Sequence, residues 1–228
     1  LVGVPRRHVA RCFTAIAKDQ IVKLYFHPFS SSSRRVRLVA EILGITLEHQ
    51  LVDLARGEQR GELAKLNPNR KVPVLTEGDL VLWESHAIIE YLCAKTPGQT
   101  LYPSELIARA DVTRWLFWTS AHLNPAINPI TFERMWKKFV GAGEPDLALI
   151  ARHEQMFHQV IAVLDQHLAA RTWISGEALT VADLSLAATL MYRVPAQLPI
   201  DAYQNVLALV GRVEALDAWK ATEPSRNG

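Results

Sequence analysis

The chain has 228 residues, 49% of them hydrophobic and 21% charged, which suits a soluble globular protein of one large domain or two modest ones. Its formal net charge is +2, but residues 1–20 set Arg6, Arg7, Arg11 and Lys18 against Asp19. The rest of the chain therefore carries a net −1 and offers no basic field for nucleic acid. No apolar run approaches the roughly 20 residues of a membrane span. Two cysteines in dissimilar contexts, Cys12 and Cys93, argue against a disulfide framework and for a reducing, cytoplasmic compartment.

Residues 1–20 read as an N-terminal extension of unknown role. Val9, Phe13 and Ile16 are spaced for a short basic amphipathic helix, without the apolar core of a secretory signal. Residues 21–26 form a strand that Pro28 stops, because proline fixes φ and has no N–H for a ladder. The serines at 30 to 33 suit a helix N-cap and first turn. A helix is predicted over 32–43 from the period of Val36, Val39, Ala40 and Leu43, with Gly44 as its left-handed cap. Arg34, Arg35 and Arg37 read as its solvated face.

A second strand is expected over 47–53 and a short helix over 58–66. A hairpin follows, 73–76 and 80–82 about Glu77-Gly78-Asp79, and then a helix over 84–95 with Ile88, Ile89 and Leu92 inward. This order implies a small mixed sheet with helices on its faces. Residues 97–104 form a linker rich in helix breakers. From 105 to 221 the pattern is helical, and 222–228 is a tail. One helix runs over 105–123 and breaks at Asn124-Pro125, and a second covers 129–140. A long helix opens at Pro145-Asp146 with an inner stripe of Leu147, Ile150, Phe157, Val160, Ile161, Leu164 and Leu168. Thr180-Val181-Ala182-Asp183 is a capping box flanked by Leu179 and Leu184, opening a helix to about 192. The last helix covers 203–218.

The strand, polar turn and helix of residues 23–37 aim several backbone N–H groups and the positive end of a helix at one spot, which favours an anion. With Asn67-Pro68-Asn69-Arg70-Lys71-Val72-Pro73-Val74-Leu75, Leu82-Trp83-Glu84-Ser85-His86-Ala87-Ile88 and Leu179-Thr180-Val181-Ala182-Asp183, this stretch makes four motifs in order. In these the chain resembles the cytosolic glutathione transferases from about residue 21 to 221. It is most similar to the serine-type classes (theta, delta, phi, zeta), which place a serine two residues after the position of Pro28. The resemblance implies an α/β plus all-α fold: a thioredoxin-like N-terminal domain, 21–96, then an all-helical C-terminal domain, 105–221. It also implies a homodimer and a Val72–Pro73 cis bond.

The implied chemistry makes a thiol nucleophilic at neutral pH. A free thiol has a pKa of about 8.5, and lowering it by two units takes about 2.7 kcal/mol. One hydroxyl hydrogen bond to a charged acceptor supplies about 1.5–3 kcal/mol and a helix N-terminus about 0.3–1, so one serine suffices. Ser30 is the expected donor and Ser31 the reserve; one of Arg34, Arg35 and Arg37 near the thiolate is a secondary reading. For glutathione, Ser85 is expected at the γ-glutamyl carboxylate, Glu84 at the ammonium, the Val72 backbone at the central peptide, and Arg70 or Lys71 at the glycyl carboxylate. A glycine is common in the family where Arg70 stands.

His27, Phe29, Trp118 and His122 are candidates for the wall of an electrophile site, with Trp115 on the same helix face read as core. The histidines show no metal-ligand spacing, and no cofactor is expected beyond glutathione as co-substrate. Nor is a nucleic acid or membrane partner. The function implied is addition of the glutathione thiolate to a small hydrophobic electrophile. The alternatives are a non-catalytic glutathione- or ligand-binding protein of the same fold, or a dehalogenase, isomerase or peroxidase variant. Disulfide exchange is disfavoured by serines at 30 to 33.

Overall fold

The computed structural model describes residues 21–53 and 57–224; the extension at 1–20, with its possible helix, and residues 225–228 of the tail lie outside them. Strand β1 (Lys23–Phe26) is central. It runs parallel to β2 (Glu48–Leu51), Leu24 opposite His49, and antiparallel to β3 (Val74–Glu77), Leu24 opposite Leu75. Strand β4 (Leu80–Trp83) completes the order β2-β1-β3-β4. The loop between β3 and β4 has two residues, and Gly78 takes the positive φ (54°) such a hairpin requires. Strand β2 is exposed along its whole length, which is why its alternation is weak in the sequence.

Helix α1 (Ser31–Leu43) ends on Gly44 at φ 66°, whose N–H caps the Ala40 and Glu41 carbonyls. Helix α2 (Gly57–Leu66) precedes the hairpin and α3 (Ser85–Lys95) follows it. The strand pleat divides the apolar residues between two faces. Val22, Leu24 and Phe26 join Val36 and Val39 of α1 and Ile88, Ile89 and Leu92 of α3. Tyr25 and Val74 join Val52, Leu63, Leu66, Val72 and Trp83 in a smaller cluster. The larger cluster continues into the helical half through Val112, Leu184 and Leu209, so both halves share one core. Leu101 and Tyr102, between the halves, are buried in it.

Asn124-Pro125 does not break the chain's helical course. Helix α4 (Leu106–Trp118) passes through a π-helical turn, Thr119–Leu123, into α5 (Asn124–Thr131), a second π turn, Phe132–Trp136, and α6 (Lys137–Phe139). The Asn124 N–H reaches back to the Thr119 carbonyl, and this widened turn accommodates the missing N–H and bulky ring of Pro125. Leu123, Ala126, Ile127 and Ile130 are all buried, which holds the helix direction across the defect.

Helix α7 (Leu147–Leu168) is capped by Asp146, whose carboxylate accepts the Leu149 N–H at 3.0 Å. Its buried stripe is Ile150, Phe157, Ile161, Leu164 and Leu168; Leu147, expected in it, is 75% exposed in the first turn. Helix α8 (Val181–Thr189) carries the capping box and stops before residue 192. Asp183 accepts from the Thr180 N–H (2.8 Å), the Thr180 hydroxyl (2.9 Å) and the Ile174 N–H (2.8 Å). The expected final helix divides into α9 (Gln204–Glu214) and α10 (Asp217–Ala221). Thr222 is buried, so the packed chain extends past 221. Among the described residues no helix is long and apolar enough to cross a membrane.

Candidate active site

The turn at the start of α1 is closed by its own side chains. The Ser30 N–H donates to the His27 carbonyl (3.0 Å), the Phe29 N–H to His27 Nδ1 (3.3 Å) and the His27 N–H to Ser33 Oγ (3.4 Å). Ser30 is the N-cap, extended at φ −89° and ψ 115°, and its Oγ accepts the Ser33 N–H at 3.1 Å. An oxygen that accepts the cap bond keeps its proton for another partner. Ser33 is fully buried, whereas Ser30, Ser31 and Ser32 are half-buried. From the far end of the chain the Tyr192 hydroxyl donates to the Phe29 carbonyl at 2.8 Å. Burial pushes that phenol up to about 12, so it keeps its proton.

The arginines of α1 are not a solvated face. Arg34 is buried, stacks at 3.7 Å on the Trp219 ring and donates to the Trp219 carbonyl (3.0 Å). Arg35 is buried and donates to Ser85 Oγ (2.7 Å) and Thr189 Oγ1 (2.9 Å). Burial lowers it to about 10, with Glu84 opposing, so it stays charged at neutral pH. Arg37 is half-buried, lies 5.2 Å from the Phe26 ring and reaches the Thr222 carbonyl (3.5 Å). The reason is tertiary: α8 and α10 both pack on α1.

Ser85 and Glu84 sit where α3 begins. Ser85 is buried, and Glu84, the N-cap, is exposed at φ 72° and ψ 110°. Next to them His86 bridges the two halves, with Nε2 at 2.6 Å from Ser185 Oγ and Nδ1 at 3.0 Å from Ser120 Oγ. Burial first, then Arg35, pushes His86 down to about 2, so it is neutral. The Val72–Pro73 bond is cis. The loop before it is pinned by Asn67, whose side chain donates to the Lys71 carbonyl (2.8 Å) and accepts the Asn69 N–H (2.9 Å). Arg70 and Lys71 are exposed, and Arg70 has φ 54°, in the left-handed region that favours glycine.

The aromatic candidates separate into two groups. Phe29 lies 5.7 Å from His27 and 6.1 Å from Trp136, which in turn meets Tyr192 (5.5 Å) and Phe139 (6.4 Å). Trp118 instead meets Trp115 (5.2 Å) and His122 (6.3 Å), and Trp115 meets His167 of α7 (4.5 Å). The ring contacts of the thiol turn thus run to Trp136 and Tyr192 rather than to Trp118 and His122. Sequence reasoning gave Arg35 mainly to a solvated face and passed over Trp136 and Tyr192. Arg35 falls on the face of Leu38 and Val39 by helical spacing, and Phe132, Trp136 and Phe139 form an aromatic stripe; both signals are present in the sequence. Tyr192, outside any regular element, gives none. Among the described residues no cluster of His, Cys, Asp and Glu gathers to hold a metal ion.

Comparison with known proteins agrees with this arrangement. Residues 29–95 match the family model of the glutathione S-transferase N-terminal domain, and residues 148–219 that of the C-terminal domain. The chain is 34% identical over 169 residues to glutathione S-transferase 3 of Zea mays, covering 73% of this chain and 75% of the relative. It is 33% identical over 191 residues to the probable glutathione S-transferase GSTF2 of Oryza sativa, covering 82% and 88%. The crystal structure of glutathione transferase F7 from Populus trichocarpa superposes with a TM-score of 0.81 at 26% identity, covering 89% of this chain and 97% of that one. With both domains matched and curated relatives above 30% identity along most of their length, this chain belongs to the glutathione S-transferase family.

Proposed function

We propose that the chain is a glutathione transferase that holds the glutathione thiol as thiolate at the start of α1 and adds it to a small hydrophobic electrophile. The observation that carries this is the Ser30 hydroxyl, which accepts the cap bond from Ser33 and so has its proton to donate outward beside the helix N-terminus. Ser30 is the catalytic donor and Ser31 the neighbouring hydroxyl. Ser85, Glu84, the Val72 backbone and Arg70 or Lys71 bind the rest of the tripeptide. The electrophile side is the apolar wall of Phe29, His27, Trp136 and the 82% exposed Phe139. Trp118 and His122, packed toward Trp115, are peripheral to this wall.

Glutathione is the co-substrate in this reading, with no further cofactor. Cys93 does not compete as a nucleophile, because burial pushes its thiol up to about 12. The reading includes a cytoplasmic homodimer in a detoxification role, supported by family membership and by exposed apolar side chains such as Phe117 and Val81. The test is Ser30→Ala with bound glutathione titrated by thiolate absorbance. The pKa of the bound thiol should climb toward about 8.5, and conjugation of chlorodinitrobenzene should fall. An unmoved titration would transfer the role to Ser31.

A further inference from the structure

The turn that carries Ser30 is held from a direction its own helix does not supply. His27-Pro28-Phe29-Ser30 is a tight turn with proline in its second position, closed by the Ser30 N–H on the His27 carbonyl at 3.0 Å. Within it the peptide unit joining Phe29 to Ser30 is a rigid plane with one donor and one acceptor. The donor is that Ser30 N–H. The acceptor, the Phe29 carbonyl, takes the Tyr192 hydroxyl at 2.8 Å, from 163 residues further along the chain. Both sides of the plane are therefore fixed, and with them the Cα of Ser30, while the Ser33 N–H holds Oγ at 3.1 Å. Without the tyrosine bond the plane can tilt about the bond that remains and carry the Ser30 side chain with it. A hydrogen bond weakens steeply with misalignment, so a small tilt is felt at the acceptor.

Tyr192 itself is firmly placed. Its carbonyl accepts the Ala196 N–H at 2.8 Å, and its neighbour Arg193 makes a two-pronged ion pair with Glu214 of α9 at 2.7 and 2.9 Å. Its ring meets Trp136 edge-on at 5.5 Å. Burial raises the phenol to about 12, so it remains a donor at neutral pH, and the charge that acts on it, Arg34, is turned onto Trp219. Docking of the two halves is already served by Arg34 on Trp219 and by His86 between Ser120 and Ser185. What the Tyr192 bond adds is its landing place, one residue before the donor to the sulfur. We propose that Tyr192 is a positioning residue for the thiolate: by holding the Phe29–Ser30 peptide plane it keeps the Ser30 hydroxyl aimed at the sulfur. The inference rests on the glutathione reading above and deepens it.

Tyr192→Phe deletes the hydroxyl and keeps the ring against Trp136. Bound glutathione is titrated by thiolate absorbance in the parent, Tyr192→Phe, Ser30→Ala and the double variant. In Tyr192→Phe the thiol pKa should rise by about half a unit to one unit, the scale of one neutral hydrogen bond, and the midpoint of the kcat/KM profile should move with it. Affinity for glutathione at about pH 5.5, where the bound thiol is largely protonated in every variant, should stay within about twofold. In the Ser30→Ala background the same substitution should move the pKa by less than about 0.2 unit, because no donor is left to aim. Tyr203→Phe, which deletes a hydroxyl that meets His158 of α7 at 2.8 Å, serves as the comparison and should leave the thiol pKa in place. An unmoved pKa in Tyr192→Phe, or an undiminished shift in the Ser30→Ala background, overturns the proposal. So does an equal shift in Tyr203→Phe, which would mark a general loosening of the fold. Ser30→Ala with its pKa in place sinks the reading of Ser30 and this role together, whereas a shift in Ser30→Ala beside none in Tyr192→Phe sinks only the role of Tyr192.

Discussion

Ser30 does two things at once, capping α1 and addressing the sulfur, and Ser30→Asp separates them. Aspartate is as good an N-cap as serine, and its charge favours the helix N-terminus by about 0.3–1 kcal/mol. The bond from the Ser33 N–H is therefore kept, and the melting temperature should match or exceed the parent's. Ser30→Ala loses that bond, at about 1 kcal/mol, and should melt about 2–4 °C lower. The sulfur responds in the opposite sense. Losing the hydroxyl donor returns the thiol from about 6.5 toward 8.5, and a carboxylate about 4 Å away adds about 1–4 kcal/mol of repulsion, or about 1–3 further units.

With the thiol at about 9.5, the ionised fraction at pH 7 drops from about three-quarters to about 0.3%. The greater basicity recovers about 20-fold of this in intrinsic nucleophilicity, given a Brønsted slope of about 0.4–0.5. The net expectation is a roughly tenfold loss at pH 7, with the midpoint of the pH profile moved up by about three units. The assay is kcat/KM for chlorodinitrobenzene at saturating glutathione across pH, beside a thermal melt. A variant that loses activity yet keeps the parent's midpoint refutes the thiolate argument, and one that melts below Ser30→Ala refutes the cap.

Two further outcomes follow from the same geometry. Arg70→Gly relieves a left-handed backbone conformation worth about 1 kcal/mol, so the melting temperature should hold or rise; if Arg70 rather than Lys71 meets the glycyl carboxylate, as the proposed reading allows, KM for glutathione should rise several-fold. His86, neutral and pushed down to about 2, makes stability pH-dependent. The unfolded histidine takes up a proton near its ordinary pKa of about 6.5 and the folded one does not, so stability is complete above that pH and is lost as pH falls toward the folded value. In urea titrations His86→Gln should therefore close the gap on the parent by up to about 1.4 kcal/mol per pH unit below about pH 6. A gap that stays constant contradicts the buried neutral histidine.

What the sequence discloses follows the range of the interaction. The Ser30 cap, the Gly44 cap and the Asp183 box are each settled within a few residues, so residue type and spacing sufficed for them. Asn124-Pro125 misleads for the same reason: the local rule says break, but burial of Leu123 and Ala126 on either side favours a widened turn instead. Arg35 and Arg34 look like surface residues because their partners, Thr189 and Trp219, lie more than 150 residues away in the chain. Trp118 illustrates a different limit. Periodicity put Trp115 in the core, where it meets His167, but could not say which rings Trp118 would meet beyond its own helix.

The three arginines of α1 share a property that bears on the whole site. Arg34 and Arg37 donate to the carbonyls of Trp219 and Thr222, and Arg35 donates to hydroxyls and a carbonyl. Among the described residues, none of them meets a carboxylate at ion-pair distance. Dipolar partners hold a guanidinium in place without cancelling its charge. Glu214, Glu223, Glu84 and Glu41 act on them only from beyond ion-pair distance, so the arginines add a positive contribution to that of the helix end itself. Glutathione brings two carboxylates and, once ionised, a thiolate. A scaffold that anchored these arginines with Asp or Glu would be as well packed but would have spent that field internally. Holding them from α8 and α10 leaves that field uncancelled at contact distance, and in the proposed reading it is available to an anionic ligand at the start of α1.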